Sequence, residues 1–147
     1  MADSPLHRLS TLGQSVWVDY LSRTLVEGGE LEQMMRDDAV VGVTSNPTIF
    51  QKALAEGDSY DEQLREVLNR TQDPKEIFVA LASRDVADAC DLFHPVWEST
   101  DGADGYVSME VDPTFAFDVE AMLVYNMPPH TEIAKPNLLV KIPATKP

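Results

Sequence analysis

Four short stretches of this chain are rich in β-branched and other apolar residues, and hydrophobic residues in the segments between them recur at helical spacing. The stretches are Gln14–Tyr20 (QSVWVDY), Ala39–Thr44 (AVVGVT), Tyr106–Val111 (YVSMEV) and Asn137–Ile142 (NLLVKI). Their length and β-branched content predict strands, in which alternate residues share a face. Ser15, Trp17 and Asp19 then lie on one side of the first strand, with Val16, Val18 and Tyr20 on the other; Tyr106, Ser108 and Glu110 share a side of the third. Proline has no N–H to give a ladder, so Pro113 and Pro143 stop the third and fourth strands. Ser45-Asn46-Pro47 breaks the second.

The intervening segments predict helices. Ser4 to Gly13 is a lead-in turn or helical turn. Ser22 is placed to cap a short helix that Gly28-Gly29 terminates, and Glu30 to Asp37 forms another with Leu31, Met34 and Met35 on its inner side. Asn46 precedes a proline and belongs to a loop, while Pro47 opens a helix running to Glu56 and closed by Gly57. Ser59 to Arg70 follows. A long helix from Asp73 to about Glu98 carries a core-facing stripe of Ile77, Leu81, Val86, Ala89, Phe93, Val96 and Trp97, with Pro95 expected to kink its last turn. Ser99 to Gly105 reads as a glycine-rich loop. Phe115 to about Ile133 should return the chain to the fourth strand. An interior proline costs a helix about 3 kcal/mol, so Pro128 and Pro129 should end it near Met127.

Strands that are apolar on both faces and separated by helices predict a parallel sheet with right-handed crossovers. Four such units fit either an open α/β sheet or part of a (β/α)8 barrel. The polar positions bear on the choice. In each strand they stand at the carboxyl end: Asp19, Thr44 with Asn46 just beyond, Glu110, and Lys141. Asp19, Glu110 and Lys141 fall on the face of Trp17, Ser108 and Leu139, so all three can converge in a barrel's mouth. Trp17, Val41, Val43 and Leu139 would then face inward with no opposite wall. That surface and the unpaired strand edges should favour self-association.

Length and composition bound the function. With 147 residues, 44% of them hydrophobic, the chain suits a single domain over 1–147 with a real core. Eleven basic and 25 acidic side chains give a net charge of −14, which repels nucleic acid and anionic membranes. The start lacks a basic segment followed by an apolar one, and no apolar run approaches the roughly 18 residues of a membrane span, so a cytoplasmic location is expected. The single cysteine, Cys90, is expected as a buried free thiol. His7, His94 and His130 are too scattered for a metal site.

Lys141 carries the most chemistry. Between Val140 and Ile142 at a strand end its amine would be partly desolvated, which lowers its pKa and makes it nucleophilic toward a carbonyl. The plainer alternative is a lysine that reaches solvent and pairs with a nearby carboxylate. Asp19 as a strand-end cap, Glu110 as a surface carboxylate, and Thr44 and Asn46 as turn residues are the corresponding structural alternatives. One amine and two carboxylates at strand ends form the minimal set for Schiff-base aldol chemistry: the amine makes the imine, one acid/base shuttles protons during its formation, and another serves the reacting hydroxyl.

Several ordered segments carry a family resemblance. Val43-Thr44-Ser45-Asn46-Pro47-Thr48, Val107-Ser108-Met109-Glu110-Val111-Asp112-Pro113 and Lys141-Ile142-Pro143-Ala144-Thr145 resemble the second-, third- and fourth-strand motifs of transaldolases. Leu9-Ser10-Thr11-Leu12-Gly13-Gln14-Ser15-Val16-Trp17-Val18-Asp19-Tyr20 is similar to the start of the bacterial, especially actinobacterial, branch. The resemblance implies a (β/α)8 barrel transferase of the pentose phosphate pathway, independent of metal or organic cofactor. It would move a dihydroxyacetone unit from a ketose phosphate, sedoheptulose 7-phosphate or fructose 6-phosphate, to an aldose phosphate. By motif, Lys141 would form the imine and Glu110 would manage protons through a water. Asp19 would take the proton of the donor's C4 hydroxyl, and Thr44 and Asn46 would hydrogen-bond the bound unit. A full barrel takes roughly 250 residues. The match is therefore to an N-terminal half, expected to be poorly active alone; a fructose 6-phosphate aldolase and a non-catalytic half-barrel that pairs with another chain are the alternatives.

Overall fold

The computed structural model describes residues 4–45, 47–55, 57–110, 116–120, 133–142 and 145, the side chains of 47–50 excepted. Its strands are β1 (Val16–Val18), β2 (Val40–Thr44), β3 (Tyr106–Glu110) and β4 (Leu138–Lys141). They form one sheet in the order β1-β2-β3-β4, and each neighbouring pair is parallel. Each strand begins or ends within two residues of its expected limits. β1 is the most shortened, because its pairing with β2 shifts between Val16 and Trp17 and the flanking Ser15 and Asp19 are exposed.

The helices are α1 (Pro5–Thr11), α2 (Arg23–Glu27), α3 (Glu30–Asp37), α4 (Pro47–Ala55), α5 (Asp61–Leu68) and α6 (Pro74–Ser99). The expected caps are present. Ser22 Oγ accepts from Leu25 N at the start of α2, and Asp73 Oδ1 accepts from Lys75 N and Glu76 N at the start of α6. These bonds satisfy N–H groups that have no partner within the helix. α6 continues through Pro95 to Ser99. The expected helix over Phe115 to Ile133, with its break near Met127, lies largely outside the described residues.

One face of the sheet is sealed. Val43, Val107 and Leu138 pack with Leu21, Leu25 and Leu31 and with Val86, Ala89, Cys90 and Phe93 of α6. Val43 therefore does not face the barrel interior as expected. The interior face of β2 carries Gly42 and Thr44, because Gly42 is in register with Trp17 and Thr44 with Ser108. The indole of Trp17 occupies the space a side chain at position 42 would need: a Cβ there would stand 2.4 Å from Trp17 Cε2. Val41 is half-buried.

A buried polar cluster ties the helices together. The Arg23 Nε donates to Asp85 Oδ1 at 2.8 Å, and the Tyr60 hydroxyl donates to Asp85 Oδ2 at 2.7 Å while accepting from Arg23 N at 3.0 Å. The guanidinium also lies 4.4 Å from the centroid of the Tyr60 ring and donates to Ser59 O and Gln63 Oε1. Burial pushes the Asp85 carboxyl upward, against the pull of Tyr60 and Arg23. The always-cationic guanidinium nevertheless needs a counter-charge inside the protein. The cluster pins the turn after β1 to the helices inserted between β2 and β3.

Candidate active site

The carboxyl ends of the strands bring Glu110 and Lys141 together. These are register partners on β3 and β4, and Lys141 Nζ donates to Glu110 Oε1 at 2.5 Å. Ser108 and Leu139 pair directly beneath them, on the same face. Thr44 sits one strand further along, in register with Ser108. Asp19, exposed just past the end of β1, is close enough to act on the Lys141 charge. Asn46, expected to bind substrate beside Thr44, lies outside the described residues.

The expected desolvation of Lys141 is not what the structure shows. Its side chain is 61% exposed and that of Glu110 24%. The hydrogen bond to Glu110 and the Glu110 charge raise the lysine pKa, Asp19 adds to the effect, and weak desolvation opposes it. The reason is physical. Val140 and Ile142, the neighbours expected to shield the amine, are themselves exposed, so water solvates the ammonium while the carboxylate holds its proton. The arrangement is the solvent-reaching, carboxylate-paired lysine.

Ser45 adds a role that its place in a turn-like Ser-Asn-Pro triplet does not reveal. Its N–H donates to Ser108 O at 2.8 Å, extending the β2–β3 pairing beyond Thr44, and its Oγ accepts from Glu110 N at 3.3 Å. Glu110 is thus held from β2 by its backbone and from β4 by its carboxylate. A small hydroxyl residue directly after a strand is the only local signal for this. Cys90 is buried on α6, away from the rim, and burial pushes its thiol up to about 12. Among the described residues no group of three His, Cys, Asp or Glu side chains could hold a metal ion.

A parallel sheet covered by helices on one face, with a lysine–carboxylate pair at the carboxyl ends of its strands, has the build of a barrel-type α/β protein whose chemistry lies at the strand ends. A family model described as Transaldolase/Fructose-6-phosphate aldolase matches residues 16–147. The transaldolase of Trichodesmium erythraeum is 42% identical over 145 residues, 99% of this chain and 38% of that protein. That of Thermobifida fusca is 46% identical over 142 residues, 97% of this chain and 39% of the relative. The Mycobacterium tuberculosis transaldolase is 45% identical over 141 residues, 96% and 38% of the two chains. The chain belongs to the transaldolase/fructose-6-phosphate aldolase family. It spans 38–39% of the length of these curated relatives. Its fold is a partial (β/α)8 barrel of four parallel units with extra helices between the second and third strands.

Proposed function

We propose that the chain is the N-terminal half, as one domain over 1–147, of a transaldolase-type transferase that moves a dihydroxyacetone unit between sugar phosphates. Lys141 forms the imine with the donor ketone. Glu110 relays protons as the imine forms and hydrolyses, Asp19 takes the proton of the C4 hydroxyl as the carbon–carbon bond breaks, and Thr44 and Asn46 hydrogen-bond the bound unit. No metal or organic cofactor is required by this scheme, since the amine supplies the electron sink once it is an imine. The observation that carries the reading is the 2.5 Å contact of Lys141 with Glu110 at adjacent strand ends, within a family match over residues 16–147.

Borohydride reduction in the presence of fructose 6-phosphate tests it, with mass spectrometry locating the adduct. At most a trace adduct on Lys141, lost in Lys141→Ala, is expected from these residues alone; a folded chain with no adduct at all removes the catalytic readings. Dependence of product on an aldose phosphate acceptor separates the transferase from a fructose 6-phosphate aldolase. Turnover by these 147 residues alone is expected to be unmeasurable. Near-attack positioning contributes about 7–11 kcal/mol in well-oriented systems, and a chain at −14 is a poor phosphate anchor.

A second reading, a non-catalytic half-barrel that pairs with another chain, is favoured by the exposure of Leu139 and Lys141 on the uncovered side of the sheet. The same surface supports self-association, which size-exclusion chromatography measures. The charge of −14 argues against nucleic acid as a partner, and no helix among the described residues is long and apolar enough to cross a membrane. A cytoplasmic location fits a sugar-phosphate enzyme of this kind.

A further inference from the structure

β4 carries the reactive lysine of the proposed site, yet its own side chains hardly specify where it pairs. A parallel strand keeps its register chiefly through a buried face, and slipping by one residue sends every side chain to the opposite side. In β4 only Leu138 is buried; Leu139 is 43% exposed and Val140 and Lys141 are exposed as well. A slip of one residue would set Val140 opposite Glu110 and turn Lys141 toward the helical face. Some other feature has to hold the alignment.

That feature lies one residue before the strand. Asn137 is fully buried, at 0% exposure. Its Nδ2 donates to Cys90 O on α6 at 2.8 Å and to Gly105 O, directly before β3, at 2.9 Å. Its own carbonyl accepts from Val107 N at 3.0 Å. Both side-chain contacts are carbonyl oxygens, which only the amide NH2 can serve, so the orientation of the group is fixed by chemistry. Asn137 is thereby held at once to the helix behind the sheet and to the first residues of the neighbouring strand. The ladder then proceeds from Leu138 opposite Val107 to Lys141 opposite Glu110. Lys135, paired with Asp91 of α6, secures the same approach from outside.

We infer that Asn137 is a positioning residue that sets the register of β4 and so places Lys141 opposite Glu110. The consequence for catalysis rests on the reading of Lys141 as the imine-forming lysine; the register itself does not. Site-resolved labelling of lysines by an amine-reactive probe as a function of pH tests it on the 147-residue chain, with Lys52 on α4 as the internal reference. In the wild-type chain, Glu110→Gln should increase Lys141 labelling near pH 9 several-fold, because the carboxylate that holds the ammonium's proton is gone. Asn137→Asp keeps the shape but removes both N–H groups, and Asn137→Ser shortens the side chain. In either variant, folded by far-UV circular dichroism, Lys141 labelling should rise by a similar factor, and adding Glu110→Gln should change nothing further. Folded variants whose Lys141 still responds to Glu110→Gln as the wild type does would overturn the inference. Loss of folding in both variants would overturn it too, since Asn137 would then serve the fold as a whole rather than one strand's alignment. Imine trapping plays no part in this test, so its failure would remove the proposed chemistry and leave the register assignment standing.

Discussion

Replacing Asp85 with alanine removes the one carboxylate in a cluster where Arg23 and Asp85 are 3% and 1% exposed. The guanidinium keeps its charge and loses its counter-ion, and the Tyr60 hydroxyl loses its acceptor. Breaking a buried pair from one side costs about 3–5 kcal/mol. The remaining contacts of Arg23 with Ser59 O, Gln63 and the Tyr60 ring place the loss toward the lower end, about 3 kcal/mol. Against a total stability of about 5–15 kcal/mol this is a large fraction. With a urea slope of about 2 kcal/mol/M, the unfolding midpoint should fall by roughly 1.5 M. Asp61→Ala is the control. It breaks an exposed Arg65–Asp61 pair on one face of α5 and should cost at most about 0.5 kcal/mol. The double variant Arg23→Met/Asp85→Leu separates charge from packing, since apolar replacement of both partners is often close to neutral. It should recover most of the loss. If Asp85→Ala behaves like Asp61→Ala, or if the double variant is no more stable than the single one, the stranded-charge account is refuted.

Gly42→Ala forces a Cβ to within 2.4–2.8 Å of the Trp17 indole and should destabilise the chain by about 1–3 kcal/mol, with Trp17→Leu in the same chain relieving the cost; equal midpoints for Gly42→Ala and the wild type in urea would contradict it. The Cys90 thiol, raised from 9.0 to about 12, makes the fold alkali-labile. Its contribution is fully present below pH 9. It is lost as pH rises toward 12, because the unfolded thiol ionises first; at pH 10 the loss is on the order of 1 kcal/mol. Cys90→Ala should flatten the fall in stability between pH 8 and 10, and identical pH profiles for the two chains would rule the thiol out as its source.

The sequence makes the strands, their order along the chain and their polar ends legible, because β-branched apolar runs bounded by prolines have few other readings. What it hides depends on neighbours distant in the chain. Val43 and Gly42 are both apolar, and a period of two gives no preference between them. The choice is made by Trp17, twenty-five residues earlier, whose ring needs the glycine. Arg23 and Asp85 look like ordinary surface charges in any local window, and only the packing of α2 against α6 buries them as a pair. Asn137 reads as the polar end of a strand and is in fact the most enclosed polar residue beside β4. The position of Lys141 is readable from the sequence, which offers both a desolvated amine and a carboxylate-paired one without deciding between them. Position follows from the chain's own pattern, whereas solvation follows from whatever stands across the sheet.

That distinction bears directly on how a Lys141–Glu110 pair would work as an imine-forming site. An ammonium cannot attack a carbonyl, and on the open sheet the carboxylate keeps the amine protonated. Water makes this arrangement stable, because both charges are solvated as well as paired. A wall across the face of Trp17 and Leu139 would withdraw that water. A buried ion pair is then disfavoured relative to its neutral form, and the proton can pass from Nζ to Oε1 along the existing hydrogen bond. The products of that shift are a free amine and a carboxylic acid, the nucleophile and the proton donor that imine formation requires. The same contact that holds Lys141 largely protonated when exposed would therefore arm it when covered. On the proposed reading, closing the barrel would therefore serve to activate the lysine as well as to hold a sugar phosphate.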